Sequence, residues 1–173
     1  VTCAQLVENY GEPSNSTKNG DKGLCVIGYG KFGGIELGYN SDLDLVFLCD
    51  DDLDGETSGD NSVSDRMFYG RFAQRLMHLF STRLSSGILY DVDARLRPEG
   101  VSGPLICTIS AYENYLKTKS WTWEQQALVR ARAVLGPERL TSRFNKIREC
   151  VLRTQRDDEK LREEVLSMRK KMR

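Results

Sequence analysis

Gly28, Gly30, Gly33 and Gly34 crowd into one turn of the chain, and only seven residues, Ile35 to Ser41, separate them from Asp42-Leu43-Asp44-Leu45. This spacing constrains the fold more than any other feature of the 173 residues. Taken alone, Gly28-Tyr29-Gly30-Lys31-Phe32-Gly33 matches the G-x-G-x-x-G fingerprint of a dinucleotide-binding βαβ unit, with Asp50 at a suitable distance. A parallel βαβ unit needs a crossover of about a dozen residues or more, usually a helix, and this spacer is too short to supply one. The same residues fit a different use. Aspartates at i and i+2 on a strand point to one face, where they can share metal ions, and glycines ahead of them let backbone amides approach phosphate oxygens.

Around that turn the periodicities predict an α/β chain. A short helix is expected over residues 1–10, a polar loop from Gly11 to Lys22, and a buried strand from Gly23 to Gly28 around Leu24-Cys25-Val26-Ile27. A second strand, Asp42 to Asp50, places Leu43, Leu45 and Phe47 on one face and Asp44, Val46 and Leu48 on the other. An acidic loop follows to about Val63, and Ser64 suits the N-cap of a long helix to about Leu84, stopped by Gly87. Ile88 to Arg97 alternates as a third strand with Asp91, Asp93, Arg95 and Arg97 on one face, ended by Pro98. Beyond Pro104 the chain reads as helical, with breaks near Lys119 and at Gly136-Pro137. The last helix would open on Asp157, Asp158 and Glu159, close on Arg169, Lys170, Lys171 and Arg173, and carry Leu161, Val165, Met168 and Met172 on one face. Because it runs to the end of the sequence, the chain is expected to be a piece of a longer protein.

Lys plus Arg and Asp plus Glu each number 25, so the formal net charge is zero. That sum excludes a strongly basic nucleic-acid coat, an acidic disordered tail and a polybasic membrane binder. The five cysteines form no CxxC pair or zinc spacing, no signal-like segment opens the chain, and no run of about 18 apolar residues suggests a membrane span. A reducing cytoplasm is the expected location. The zero hides a division: residues 1–63 carry 12 acidic and 3 basic side chains, net −9, and residues 64–173 carry net +9. A solvated loop bearing Asp50, Asp51, Asp52, Asp54, Glu56 and Asp60 accounts for much of the acidity without any function.

An isolated D-x-D is common and usually marks a solvated strand end or a turn. Here it follows Gly-Gly and a short spacer, and a later strand offers a third carboxylate, Asp93, with Asp91, Arg95 and Arg97 on the same face. Carboxylates in this arrangement suit a cation, and the guanidinium groups either neutralise phosphate or simply pair with the acids.

This arrangement resembles that of the DNA polymerase β-like nucleotidyltransferase superfamily, and longer words narrow it. GYGKFGGIELGYNSDLDLVF at 28–47, RLMHLFSTRLSSGILYDVDARLRPEG at 75–100, SGPL at 102–105 and WTWEQQALVRARAVLG at 121–136 closely resemble the glutamine-synthetase adenylyltransferase family. The WTWE and SSGILY words are more similar to its C-terminal, adenylylating half than to its deadenylylating half. The resemblance implies a small, mixed, twisted sheet flanked by helices, as an adenylyltransferase domain over residues 1–136 followed by a helical extension over 137–173. It implies Asp42 and Asp44 as the metal-binding pair and Asp93 as the third carboxylate, together catalytic and holding two Mg²⁺ ions. Gly33, Gly34 and Ser41 match the nucleotide-binding turn, with Lys31, Arg95 and Arg97 as phosphate contacts. ATP would be the substrate, a tyrosine hydroxyl of glutamine synthetase the acceptor and pyrophosphate the product. PII signalling proteins would act on the longer enzyme, and neither nucleic acid nor a membrane is expected as a partner.

Two stretches depart from the family. The W-T-W-E-H-Q word of relatives reads Trp123-Glu124-Gln125-Gln126 at its end, so no histidine is present at 125, and Asp51 to Val63 matches poorly. His78 reads as a packing or hydrogen-bonding residue rather than a base, and Trp121 and Trp123 as packing anchors rather than an adenine stack. Arg130 and Arg132 face either a cleft or solvent. Two rivals stay open: the same chemistry on RNA or a small molecule, and a non-catalytic nucleotide sensor.

Overall fold

Thr2–Tyr10 forms α1 as expected, and the two apolar runs become β1 (Leu24–Gly28) and β2 (Leu43–Cys49). These strands are antiparallel neighbours, in register from Leu24 opposite Cys49 to Gly28 opposite Leu45, which eliminates the parallel βαβ unit. Between them lies one turn of helix, α2 (Gly30–Gly33). The chain is described here by a computed structural model covering residues 2–16, 22–39, 41–85, 87–154 and 158–171, so residues 17–21 of the expected first loop lie outside the described residues, as do Asp157, Met172 and Arg173.

Ser64 caps α3 (Asp65–Ser81), its hydroxyl accepting from the Met67 amide at 3.3 Å. The helix ends three residues before the expected Leu84, with Thr82 already extended, and Gly87 belongs instead to a two-residue hairpin of β3 (Arg83–Leu84) and β4 (Gly87–Ile88). The continuous third strand from Ile88 to Arg97 is likewise corrected: it breaks after Ile88 and resumes only as β5 (Val92–Asp93), after which the chain turns. The region beyond Pro104 is not uniformly helical. It contributes β6 (Ile106–Thr108), then α4 (Ile109–Thr118), α5 (Thr122–Ala127), a 3₁₀ turn at Leu128–Arg130, β7 (Arg132–Leu135), α6 (Glu138–Leu152) and α7 (Asp158–Lys171). The expected breaks at Lys119 and Gly136-Pro137 fall at the end of α4 and the start of α6.

Among the described residues the main sheet has the order β5-β2-β1-β7, with β6 sharing the β2 edge beyond β5. β5 and β6 run parallel to β2 and β1 and β7 antiparallel to their neighbours, so the sheet is mixed. The alternation along the strands sorts side chains to two layers. Leu24, Val26, Leu43, Leu45 and Phe47 meet Leu6 of α1 and Phe68, Tyr69 and Phe72 of α3. Cys25, Ile27, Val46 and Leu48 meet Ile109, Tyr112 and Leu116 of α4 and Leu140, Phe144, Ile147 and Val151 of α6. Each large apolar side chain fully withdrawn from water contributes roughly 1.5–3 kcal/mol, which helps hold three-residue β6 through buried Ile106 and Cys107, whereas four-residue β7 has no buried side chain and is held by its backbone pairing with β1.

The acidic loop is less solvated than its composition suggests. Leu53 and Thr57 are buried, Glu56 bridges to Ser64, and Asp50 and Asp51 pair with Arg139 and Arg143 of α6. No helix among the described residues is long and apolar enough to cross a membrane.

Candidate functional site

The open end of β2 carries the carboxylates. Asp44 is the register partner of Asp93 on β5, and the Leu43 amide donates to the Asp91 carbonyl at 2.8 Å to fix the pairing. Asp42 stands just before the strand, exposed, and Asp91 is exposed as well. Burial and the nearby charges of Asp93 and Asp42 push the Asp44 carboxyl above its ordinary value, against the opposing pull of Arg95 and Lys31. Asp93 moves the other way, because the Arg95 guanidinium grips it at 2.8 and 2.5 Å and the Arg95 amide donates to it at 2.8 Å.

The glycine turn lies directly beside Asp44. The Tyr29 amide donates to the Asp44 carbonyl at 2.9 Å, and Gly30 has a φ of 53°, with a Cβ there colliding with the Asp44 carboxylate. Only glycine combines that backbone angle with that approach. Lys31 is exposed on the turn, close enough for its charge to act on Asp44. Gly33 is small for a different reason, since a Cβ would overlap the carbonyl oxygens of Arg130 and Gly28. Ser41 is buried, and its hydroxyl accepts from the Gly38 amide at 3.2 Å, closing the bend that delivers Asp42 to the strand.

The structure thus brings Asp44, Asp93, Arg95, Lys31 and the turn together. Arg97 lowers the Asp93 carboxyl by its charge, yet its guanidinium is engaged with the carbonyls of Ala94, Val101 and Gly103 at 2.7–3.2 Å, stapling the loop after β5. As a donor set, three carboxylates are hard oxygen ligands suited to Mg²⁺, and a cation would offset both the burial of Asp44 and the charges of its neighbours Asp93 and Asp42. No three His, Cys, Asp or Glu side chains among the described residues are gathered closely enough to hold a metal ion.

Several residues left undecided by the sequence acquire roles. Arg132 donates to the carbonyls of Gly33 and Phe32 at 3.2 and 3.3 Å, and Arg130 pairs with Glu36, so the segment after α5 clamps the glycine turn. Gln125 donates to the Leu116 carbonyl at 3.1 Å and the Ser120 hydroxyl at 2.9 Å, joining α4 to α5. Trp121 and Trp123 line a cavity of about 330 Å³ with Val165 and Met168 of α7, and none of its lining residues belongs to the turn or to the carboxylate strands. His78 is exposed on α3 rather than packed, and its carbonyl accepts from the Thr82 hydroxyl. Tyr29, the aromatic position inside the glycine word, is buried and its hydroxyl meets that of Tyr112 of α4, a contact with no local signal in the sequence.

The described cysteines are free thiols, three of them buried, with burial pushing Cys25 up to about 12. Comparison with known proteins bears on the family of the chain. The chain is 53% identical, over all of its 173 residues, to the bifunctional glutamine synthetase adenylyltransferase/adenylyl-removing enzyme of Psychromonas ingrahamii, and it spans 18% of that protein's length. The family model described as glutamate-ammonia ligase adenylyltransferase matches residues 1–147. The chain belongs to the glutamate-ammonia ligase adenylyltransferase family.

Proposed function

We propose that this chain carries an adenylyltransferase site that transfers AMP from ATP to a tyrosine hydroxyl of glutamine synthetase and releases pyrophosphate. The observation that carries the reading is the Asp44–Asp93 register pair set beside a glycine turn. Asp42, Asp44 and Asp93 would have to draw closer than they stand here to hold two Mg²⁺ ions, which when bound would supply charge neutralisation on the triphosphate and acidify the attacking phenol. The backbone of Gly33 and Gly34 and the Ser41 bend form the nucleotide turn, and Lys31 and Arg95 offer their positive charge to phosphate oxygens. For Arg95 that requires leaving Asp93. Arg97 serves by holding the Asp93 loop in place. The phenol oxygen attacks the α-phosphorus, the bond from that phosphorus to the α,β-bridging oxygen breaks as pyrophosphate departs with its electron pair, and the phenol proton passes to solvent. Positioning and neutralisation carry most of the rate enhancement.

The site spans a unit over residues 1–136, and the helices from 137 form an extension in which α6 packs on the sheet and α7 against α5. Within the longer protein it works in the cytoplasm in the adenylylating direction, under control by PII proteins. ATP labelled at the α-phosphate, offered with glutamine synthetase or with RNA, tests the acceptor. Label on a glutamine synthetase tyrosine is expected, and label on RNA alone overturns the acceptor. Wild-type transfer by both Asp42→Asn and Asp44→Asn overturns the metal assignment.

A further inference from the structure

Tyr29 joins the two halves of the candidate site through its backbone. Its amide donates to the Asp44 carbonyl, its carbonyl accepts from the Gly33 amide at 2.9 Å, and Gly30 follows it against the Asp44 carboxylate. The side chain points away from that site into the core beneath α4. There its ring is 2% exposed and its hydroxyl shares a hydrogen bond with the hydroxyl of Tyr112, which is 1% exposed. The Tyr112 ring packs in turn against Phe144 of α6 at 6.3 Å between centroids.

Packing alone does not call for these phenols, since two phenylalanines would fill nearly the same space without two hydroxyls to withdraw from water. Burial pushes both phenols far above their ordinary value, so both are neutral, and the bond between them contributes little net stability. What a buried hydroxyl pair adds is a fixed direction and a fixed separation between two rings. The surrounding groups are also polar and ordered: Glu124 is buried, accepts from the Tyr115 hydroxyl at 2.7 Å and the Trp121 amide at 2.8 Å, and its charge and that of Arg148 both reach Tyr29.

We infer that Tyr29 and Tyr112 are a positioning pair: the hydrogen bond between their hydroxyls sets where the Tyr29 backbone holds Gly30 against Asp44, and so aligns the glycine turn with the carboxylates. The inference rests on the reading that this turn handles ATP. A turn displaced from the carboxylates binds the nucleotide less well before it alters the chemical step, so the effect falls on KM more than on kcat.

The test compares Tyr29→Phe, Tyr112→Phe and the double variant in the full chain, by steady-state kinetics with ATP and by amide hydrogen exchange. Each single variant should raise KM for ATP by about three- to tenfold with kcat changed by less than about twofold. Each should also speed exchange of the Gly33 and Gly34 amides while α3 stays as protected as before. The double variant should be no worse than the singles, because the hydroxyls act as one unit. A lowered melting temperature with unchanged KM and unchanged turn exchange overturns the pair and leaves the proposed function standing. A wild-type chain that transfers no adenylyl group overturns the function instead. Exchange still decides the pair in that case, and a uniform increase across the sheet, or none, overturns it.

Discussion

Asp44 and Asp93 stand directly opposite one another on parallel strands, two carboxylates facing across a strand pair whose partners come from distant parts of the sequence. Their environments pull them apart. Asp44, crowded by burial and like charge, is raised, while Asp93, held by Arg95, is lowered. Of the two, Asp44 is the one whose charge the fold tolerates less.

Asp44→Asn is therefore expected to separate activity from stability. A group whose folded value is raised loses stability as pH climbs from its ordinary value of 3.8 through the raised one, so at neutral pH the charge is a burden. The variant should melt at the wild-type temperature or above it, while adenylyl transfer falls by about a hundredfold or more. Added Mg²⁺ should raise the melting temperature of the wild type and not of the variant. A variant that melts lower, with transfer retained, contradicts both halves.

Asp51 provides the pH dependence. Burial pushes its carboxyl up, but hydrogen bonds from the Arg143 guanidinium and from the Ser110 hydroxyl and amide outweigh that and leave it below 3.8. A lowered acid stabilises the fold fully above its ordinary value, and that stabilisation disappears as pH falls through the folded value. Asp51→Asn should cost about 1 kcal/mol at neutral pH, given the solvent exposure of the pair. The difference between the two melting curves should close below about pH 4, as followed by thermal denaturation across a pH series.

Asp65 ties the first loop to α3. It is fully buried in the first turn of the helix and accepts from the Ser14 amide at 3.0 Å and the Ser14 hydroxyl at 2.5 Å. Asp65→Ala leaves that amide without a partner and should cost about 2–3 kcal/mol, whereas Ser14→Ala should cost about 1 kcal/mol. Urea denaturation measures both, and equal penalties would show that the loop is held by other contacts.

Two glycines should respond to alanine in opposite directions. Gly33→Ala drives a methyl group into the Arg130 and Gly28 carbonyls, neither of which can rotate away, and should destabilise by about 1–3 kcal/mol. Gly70, inside α3, has open space around the position of a Cβ, so Gly70→Ala should stabilise by about 0.5–1 kcal/mol. The difference between their urea midpoints is the measurement.

How much of this was legible in the sequence depended on the range of the interaction. β1, β2, the Ser64 cap and the turn at Gly136-Pro137 are local patterns, and each stands where the periodicity put it. Ile106–Thr108 and Arg132–Leu135 are too short to show a period within a stretch whose pattern is otherwise helical; pairing with β2 and β1 makes them β6 and β7. The expected face of Asp93, Arg95 and Arg97 assumed an unbroken strand. The chain turns after Asp93 instead, folding Arg95 back onto it and sending Arg97 to three carbonyls. For the glycine turn, spacing indicated a backbone close to Asp44. That Gly30 meets the carboxylate while Gly33 meets the Arg130 carbonyl depends on a segment far along the chain.

The partner that closes the outer edge of β1 has a cost in time. Val26 pairs with Leu135 and Gly28 with Arg132, so a nascent chain emerging at about 5–20 residues per second waits on the order of ten seconds between the two. During that interval Leu24–Gly28 presents a bare, apolar hydrogen-bonding edge of the kind that recruits neighbouring chains. Truncation before Arg132 would make the interval permanent, and the product would be expected to collect in the insoluble fraction rather than as a smaller folded unit.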